Sequence, residues 1–484
     1  MKAQFDKRNL TMVMDFYEMT MSNGYFKNNR LNQTAVFDVF YRKNPDDAGF
    51  AIFAGLEQII EYINDLHFEK EDIDYLRSQN IFEEDFLQYL ANYKFRGDIY
   101  SMPEGTIIYP YEPIITVVAP LIDAQLVETA LLLQFNHQSL IATKTNRIVK
   151  SASGKAVSDF GARRAQNHDA AVYGARAAYI GGACGTATVL AGEMFHIPIS
   201  GTMAHSWVMC HSSEYEAFKT YAEVYPDACL RLVDTYNALK SGVPNAIRVA
   251  KEVLEPMGKR LKGIRLDSGD LAYLSKEARK MLDDAGLNDC IIVASNSLDE
   301  YTIRSLNLQG AKIDSYGVGE RLITSSSNPV FGGVYKLAAV EVDGKLVPKI
   351  KVSDTIEKIT NPGLKKIYRV YDKKGHAVAE YLTTAGETID ASHPVRFVDP
   401  KEYWRDRHFE NCTFKELQVK IFEDGKQVYE VPSIEDIRKF VRYQLDHEIW
   451  QEEQRFENPH EHYFDMSPKM FELKMSLLNE SKGD

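Results

Sequence analysis

The sequence predicts an α/β protein whose central part is a parallel sheet. From about residue 141 to 351, strand-like runs end in polar turns rich in Gly or Ser, and helical patterns follow them. Repeated strand, loop and helix units of this length are typical of parallel sheets. We favour a barrel over the alternative, an open doubly wound sheet, because no GxGxxG follows a strand. The predicted strands are Val157–Gly161, Ile197–Gly201, Gly263–Leu266, Cys290–Ser295 and Lys312–Gly317.

The flanking segments mix helices with antiparallel strands. We predict three parts, an N-terminal α/β domain over 1–138, a barrel over 139–350 and a C-terminal segment over 351–484. The tail would return to the N-terminal domain and end in a charged helix. Apolar periodicity and turn residues predict the following elements: strands at 34–42, 367–371, 419–422 and 426–431, an antiparallel sheet over 99–120, and helices at 55–66, 123–140 and 433–455.

The composition limits the function classes. At 484 residues the chain is long enough for a large core and two or three structural units. Its net charge of −12 argues against a general nucleic-acid or anionic-membrane surface, so an anion site requires a local cluster of Arg and Lys. Five scattered cysteines without a CxxC pair indicate reduced thiols in a cytoplasmic protein. No signal peptide is visible, and charges interrupt the most apolar segment, 114–135.

The segment from Gly263 to Leu271 is the most informative stretch of the chain. A buried strand ends at Leu266, and Arg265, Asp267, Ser268 and Asp270 surround that end before a helix begins. Asp and Ser are ordinary helix caps, and that interpretation explains Ser268 and Asp270. It leaves Arg265 unexplained, because an arginine within a strand requires a charged partner or a ligand. Both interpretations stay open on local grounds.

Four further strand ends are unusually polar. Adjacent Arg163 and Arg164 follow Phe160 and suit a carboxylate or phosphate, although a solvated arginine pair is the alternative. His205 lies just beyond an apolar run and can serve as a base or nucleophile, although a lone histidine is more often structural. Two more turns offer backbone amides to a phosphate: Ser295-Asn296-Ser297, with a capping-box spacing from Ser297 to Glu300, and Gly317-Val318-Gly319.

Other nucleotide and metal motifs are missing from the sequence. There is no GxxxxGK[ST], so a P-loop is excluded. HExxH, CxxC and EF-hand spacings are also missing, which argues against a metal caged by protein side chains. Magnesium carried by substrate phosphates remains compatible with the sequence.

Six motifs in order resemble the nicotinate phosphoribosyltransferase family, a type II phosphoribosyltransferase family. They are DFGARRAQ, GTATVLAG, ISGTMAHSW, GIRLDSGDL, VASNSLDE and DSYGVGERL, and the likeness extends over nearly the full chain. The resemblance implies an irregular α/β barrel, an α/β domain built from both chain ends and a homodimer with shared active sites. It implies NAD salvage chemistry, in which nicotinate and phosphoribosyl pyrophosphate give nicotinate mononucleotide and pyrophosphate, with coupled ATP hydrolysis and substrate-borne Mg²⁺.

The resemblance also implies a role for each matching residue. His205 would be phosphorylated by ATP, with Asp267 as its companion in catalysis. At the nicotinate ring it implies Tyr17 from the partner subunit and Phe160 on opposite faces, with Arg163 at the carboxylate or a nearby phosphate. It places Arg265 and Asp267 at the phosphoribosyl group and Asp270 at the ribose or magnesium. The residues that it implies at the 5′-phosphate are Ser295, Asn296, Gly317 and Gly319. The segment from Lys144 to Arg147 would help to bind pyrophosphate.

One position bears on the choice of base. Nicotinamide-using relatives resemble GTDTV where this chain has Gly185-Thr186-Ala187-Thr188-Val189. Ala187 cannot accept a hydrogen bond from an amide, whereas an aspartate would do so and would repel a carboxylate. The sequence therefore favours nicotinate. The alternatives are a nicotinamide phosphoribosyltransferase and a non-catalytic barrel that binds phosphorylated metabolites.

Overall fold

A computed structural model describes residues 8–353, 355, 358–404 and 406–481. Its contacts divide the chain into two compact units, Met1–Leu140 with Val330–Asp484, and Ile141–Pro329. The first unit therefore combines both chain ends, and the second is a continuous segment. Among the described helices, none has the length and apolarity needed to cross a bilayer.

The first unit is built on three sheets. Its strands are β1 (Thr34–Phe40), β2 (Ala51–Ile52), β3 (Asp98–Ser101), β4 (Ile107–Ile108), β5 (Ile115–Pro120), β12 (Val334–Val342), β13 (Lys345–Pro348), β14 (Lys365–Tyr371), β15 (Ala377–Thr384), β16 (Val395–Val398), β17 (Asp406–Phe409), β18 (Thr413–Glu416), β19 (Val419–Glu423), β20 (Lys426–Gln427) and β21 (Phe464–Met466). The sheet orders are β13-β12-β1-β5-β3-β19-β20, β17-β16-β21-β15-β14-β18 and β2-β4. Strand β12, which lies inside the predicted 139–350 segment, pairs antiparallel with β1.

Helices surround these sheets and bury one large apolar core. They are α1 (Phe16–Lys27), α2 (Leu56–Asp65), α3 (Lys70–Ser78), α4 (Glu84–Ala91), α5 (Leu121–Gln125), α6 (Glu128–Ser151), α15 (Ile434–Tyr443) and α16 (Pro468–Glu480). The boundary between the units falls within α6. In α2, Leu56, Ile59, Ile60 and Ile63 recur at helical spacing, and all four are buried in this core.

The second unit carries a six-stranded parallel sheet. Its strands are β6 (Ala156–Asp159), β7 (Gly185–Thr186), β8 (Leu230–Leu232), β9 (Gly263–Leu266), β10 (Ile291–Ser295) and β11 (Ser315–Val318), in the order β7-β6-β11-β10-β9-β8. Every pairing in it is parallel. The predicted α/β class is confirmed. The parallel register also brings the carboxyl ends of all six strands to one edge.

Helices follow these strands in sequence: α7 (His168–Ile180), α8 (Val189–Phe195), α9 (His205–Met209), α10 (Glu214–Val224), α11 (Val243–Val249), α12 (Leu271–Asp284), α13 (Glu300–Leu308) and α14 (Glu320–Ile323). Helix α12 shows the local logic. The Asp270 side chain accepts a hydrogen bond from Tyr273 N at 3.0 Å and caps the helix start. Gly286 follows the helix end with φ of 73°, a conformation that favours glycine.

Several predictions of local structure were wrong; the strand predicted over 426–431, for example, ends at Gln427. Residues 197–201 do not form a strand and contribute one isolated bridge, Ile199 to Thr186, because Pro198 lacks the amide needed to continue a ladder. The helix predicted over 433–455 ends at Tyr443 and continues only as a π-turn to Glu448. The predicted capping role of Ser297 was also wrong, because Asp299 caps α13.

Candidate active site at the carboxyl edge of the parallel sheet

The register of the parallel strands places predicted site residues of the second unit next to one another. Ser295 at the end of β10 pairs with Gly317 in β11, and Gly317 pairs with Ser158 in β6. Arg265 in β9 pairs with Val293 in β10. Since residues in register on neighbouring parallel strands point to the same face, these side chains share one face at one edge. The loops that follow the strands extend the same edge.

A histidine and two aspartates form a hydrogen-bonded network there. His205 Nε2 lies 3.2 Å from Asp234 Oδ1. The other oxygen of Asp234 accepts from Asp267 N at 2.8 Å and from Ser268 Oγ at 2.6 Å. The Asp234 side chain is only 4% exposed, whereas that of His205 is 40% exposed. The buried carboxylate therefore orients a histidine that remains open to a ligand.

Asp267 extends this network to the next strand. Its Oδ1 accepts a hydrogen bond from Ser295 Oγ. Beyond Ser295, Asn296 and Ser297 adopt φ values of 79° and 51°, which are unusual for residues with side chains. The predicted phosphate loop is thus tied to the aspartate of the neighbouring loop, and its backbone is held in a strained conformation.

Arg265 is a largely enclosed cation at the centre of the edge. Its Nη1 donates to Thr202 Oγ1 at 2.6 Å, and its Nε is buried without a hydrogen-bond partner among the described residues. Burial lowers the pKa of Arg265, while the charges of Asp267 and Asp234 act in the opposite direction. Arg163 also lowers that pKa, which shows that the two guanidinium groups lie close enough to interact. The edge therefore holds two neighbouring arginines together with the carboxylates of Asp234 and Asp267.

The ring of Phe160 explains the glycine at 317. A Cβ added to Gly317 would lie 2.4 Å from two Phe160 ring carbons, so only glycine leaves room for the ring. Phe160 N donates to Val318 O at 2.8 Å and fixes the backbone beside it. Gly319 approaches the Phe160 carbonyl, where an added Cβ would lie 3.0 Å from the oxygen. The structure thus packs one predicted binding loop against another.

A buried aspartate shapes the far end of the edge. Asp159 is 1% exposed and accepts from Gly161 N and Thr186 Oγ1, each at 2.8 Å. Burial raises the pKa of its carboxyl group. Ala187 follows β7 directly, donates its N–H to Asp159 O and is exposed. The position that bears on base choice therefore lies beside the Phe160 loop.

Some predicted residues lie elsewhere or have other partners. Tyr17 is in α1 of the first unit and is partly exposed. The carboxylate of Asp270 caps α12, which leaves one oxygen outside that bond. Lys144 is buried and forms a 2.6 Å ion pair with Glu300, and Arg147 contacts the same carboxylate at 3.4 Å. These two cations serve a buried structural cluster in this structure.

Sequence reasoning missed Asp234 and Thr202. Asp234 follows β8, a strand of only three residues, Leu230–Leu232, and three residues show no periodicity. The available signal was the strand-like run Leu230–Val233, apolar except for Arg231, which is followed by a carboxylate, as at Asp267. Within the described ranges, no group of three or more His, Cys, Asp or Glu side chains is arranged to hold a metal ion.

Fold and site together define an α/β enzyme class with a cluster of charged side chains at the strand ends. Models of the nicotinate phosphoribosyltransferase (NAPRTase) family match residues 12–136 as its N-terminal domain, 155–378 as the family and 364–474 as its C-terminal domain. The Bacillus subtilis nicotinate phosphoribosyltransferase is 45% identical over 99% of this chain and 97% of its own length. A Mycobacterium tuberculosis nicotinate phosphoribosyltransferase is 39% identical over 90% of this chain and 87% of its own length.

Solved structures agree with this result. The crystal structure of human nicotinic acid phosphoribosyltransferase superimposes with a TM-score of 0.84 at 26% identity, over 96% of this chain and all of that one. The nicotinate-nucleotide pyrophosphorylase of Pyrococcus furiosus gives a TM-score of 0.69 at 25% identity, over 92% and 97% of the two chains. The chain belongs to the nicotinate phosphoribosyltransferase family.

Proposed function

We propose that this chain is the enzyme that joins nicotinate to the phosphoribosyl group of phosphoribosyl pyrophosphate, releasing nicotinate mononucleotide and pyrophosphate for NAD salvage. The activity is the one that gives the family its name. One observation carries its assignment to this edge: the carboxyl ends of the parallel strands bring Arg163, Arg265, Asp267 and His205 to one side of a single sheet.

The proposed reaction accounts for the charged side chains at this edge of the sheet. The nicotinate ring nitrogen attacks the anomeric carbon of the ribose, the bond to the pyrophosphate oxygen breaks, and that oxygen takes the electron pair. Positive charge grows on the sugar while negative charge grows on the leaving group. Catalysis therefore requires groups that hold both reactants in line and stabilise those charges. Arginines suit the anionic groups, and the carboxylate of Asp267 suits the sugar.

We assign the substrate contacts on this basis. Phe160 provides a face for the nicotinate ring, and Arg163 meets its carboxylate or a nearby phosphate. Arg265 and Asp267 hold the phosphoribosyl group, with Asp270 directed to the ribose. Ser295, Asn296, Gly317 and Gly319 surround the 5′-phosphate through backbone amides. The buried, unpartnered Nε of Arg265 supports this assignment, because buried donors in native proteins ordinarily have partners.

The family also supplies our proposals for the barrel, the oligomeric state and the location in the cell. We infer that the six parallel strands belong to the irregular barrel of type II phosphoribosyltransferases and that two copies form a homodimer. In that dimer Tyr17 from one copy stacks on the nicotinate ring bound by the other. The aromatic residues at the start of α1 support this, since Phe16 is 59% exposed and Tyr17 43% exposed. The enzyme would work in the cytoplasm, where its five free cysteines stay reduced.

ATP would act through His205. A proton on Nε2 donated to Asp234 leaves the lone pair on Nδ1, which makes Nδ1 the nucleophile. Nδ1 attacks the γ-phosphorus of ATP, a nitrogen–phosphorus bond forms, and ADP leaves with the electrons of the broken phosphorus–oxygen bond. Hydrolysis of the phosphohistidine later returns the free imidazole and phosphate. The coupling would use the free energy of ATP hydrolysis to make binding of the ribosyl donor tighter.

Magnesium would accompany the substrate phosphates. The site offers the carboxylates of Asp234 and Asp267 and the free oxygen of Asp270, and oxygen donors are the ligands that Mg²⁺ prefers. When bound, the ion neutralises charge on the pyrophosphate oxygens. The residues of this chain would orient the complex and exclude competing water.

A product assay tests these proposals. Purified protein is incubated with phosphoribosyl pyrophosphate, Mg²⁺ and either nicotinate or nicotinamide, with and without ATP, and products are separated by chromatography. We expect nicotinate mononucleotide, and more of it with ATP. The variant His205→Ala should lose the ATP effect, while His211→Ala, two residues beyond the end of the same helix, should keep it. A folded wild type that yields no product would refute the function. Full ATP coupling in the His205 variant would refute only the phosphohistidine.

A further inference from the structure

The loop between β10 and α13 contains two neighbouring residues with an unusual backbone conformation. Asn296 and Ser297 both have positive φ, at 79° and 51°, and neither is glycine. Residues with side chains keep such a conformation only where surrounding contacts enforce it, and these cases cluster at functional sites. The question is therefore which contacts hold this loop in place.

Two ion pairs directly follow the strained residues. Asp299 uses one oxygen to cap α13, accepting from Thr302 N at 2.7 Å, and its other oxygen pairs with Arg321 Nη1. The next residue, Glu300, pairs with Lys144 in the buried cluster described above. The loop is thus fixed to α6 by Glu300 and to the start of α14 by Asp299. Only the second contact joins it to another predicted substrate loop.

Arg321 lies in the first turn of α14, the short helix that follows β11. It lies two residues after Gly319, so its pairing with Asp299 connects the Gly317–Gly319 turn to the Asn296–Ser297 turn. The Asp299 side chain is 14% exposed and that of Arg321 is 41% exposed. Burial raises the pKa of Asp299, but bonds from Thr302 and from Arg321 outweigh it and leave the pKa below its usual value.

We infer that Arg321 and Asp299 are a positioning pair that fixes the spacing of the two turns for the 5′-phosphate of the ribosyl donor. The identity of that phosphate rests on the proposed function. The role of the pair rests on its own geometry, because a phosphate held by amides from two turns is bound tightly only when both sets of amides point at it together. With its charge matched by Asp299, Arg321 acts through the loops and does not contact the substrate.

Substitutions at the two residues can separate the ion pair from the helix cap that Asp299 also provides. Asp299→Asn retains an oxygen to cap α13 and removes the ion pair. Arg321→Gln removes it from the other side, and the double variant tests whether the two changes act through one contact. Arg260→Gln is the matched control, because Arg260 pairs with Asp289 just before β10, at the opposite end of that strand.

Steady-state kinetics with each substrate varied, and calorimetric binding of phosphoribosyl pyrophosphate, provide the readout. We expect each single variant to raise KM and Kd for phosphoribosyl pyrophosphate about tenfold while kcat and the KM for nicotinate change less than about twofold. The double variant should be no worse than either single one, Arg321→Lys should recover part of the loss, and the control should match wild type.

Three results would overturn the inference. Unchanged affinity in the single variants would show that the pair positions nothing. Losses that multiply in the double variant would show two independent roles. A loss in Arg321→Gln far above that in Asp299→Asn would make Arg321 a direct ligand. If the wild type binds phosphoribosyl pyrophosphate but forms no product, the proposed function fails, while the binding comparison still decides the role of the pair.

Discussion

The replacement Gly317→Ala tests how closely the two binding loops must pack. An added Cβ would lie 2.4 Å from Phe160 Cδ2 and Cε2, whereas ordinary contact begins at 3.4 Å. The ring or the strand must therefore move by about 3.4 − 2.4 = 1.0 Å. The Phe160 backbone is held by its hydrogen bond to Val318 O, so we expect the ring to move.

The two consequences differ in size. Overpacking of this kind costs roughly 1–3 kcal/mol of stability, and the half-buried ring can yield toward solvent, so we expect a cost near 1 kcal/mol. Misplacement of a substrate-contacting group by about 1 Å can cost up to ~100-fold in rate. Activity should therefore fall far more than stability, and most of the loss should appear in kcat/KM for nicotinate.

Kinetics with nicotinate varied and a thermal unfolding curve measure both effects. Gly386→Ala is the matched control, because nothing lies within 4 Å of its added Cβ. If Gly317→Ala kept wild-type kcat/KM for nicotinate, the Phe160 ring would not be part of the base site. A loss of stability in proportion to activity would instead show a general folding defect.

Three further changes test separate parts of the structure. Burial, with a smaller contribution from the charge of Glu128, raises the pKa of Glu18 from 4.5 to about 7, so the native state holds a proton that the unfolded chain releases. The unfolding free energy of wild type relative to Glu18→Gln should therefore fall between pH 4.5 and 7, and a flat difference in pH-dependent denaturation would contradict this. Arg369→Met would leave the buried Glu380 carboxylate without its 2.6 Å partner and should cost about 3–5 kcal/mol in denaturant unfolding, against less than about 1 kcal/mol for Lys70→Met at an exposed pair. Ala187→Asp should shift the ratio of kcat/KM toward nicotinamide by about tenfold or more, and an unchanged ratio would remove this residue from base selection.

The parallel sheet was predictable because its units repeat a simple pattern. Gly263–Leu266 matches its prediction residue for residue, and Ile291–Ser295 differs by one residue at its start. In both, buried β-branched or leucine residues precede a polar turn, and a helix with a polar cap follows. Strand β8 lacked this signal because three residues are too few to show a period. Because β8 was not predicted, Asp234, which follows it, was not identified as a site residue.

Side-chain partners across long separations were not predictable. Lys144 and Glu300 are 156 residues apart, and their pairing depends on how α6 and α13 pack. The family resemblance implied a pyrophosphate-binding role for the segment from Lys144 to Arg147, and the fold places that lysine in a buried ion pair. Local partners behaved differently, since the cap at Asp270 follows from adjacent residues and was one of the two interpretations left open for that segment. At α13 the cap is Asp299 and not the predicted Ser297, and Asp299 also pairs with Arg321, which is distant in sequence.

The carboxylates of the site explain how arginines can gather there before substrate binds. Burying Arg265 beside Arg163 is unfavourable because the guanidinium group loses water and meets a like charge. Both effects lower the pKa of Arg265. Asp267 and Asp234 offset that cost because each places negative charge near Arg265, and Asp234 also orients His205. The site thus contains cations for anionic substrates and carboxylates that keep those cations in place. A chain with net charge of −12 needs such local cations to hold the phosphates that we propose as ligands, since its overall field repels them.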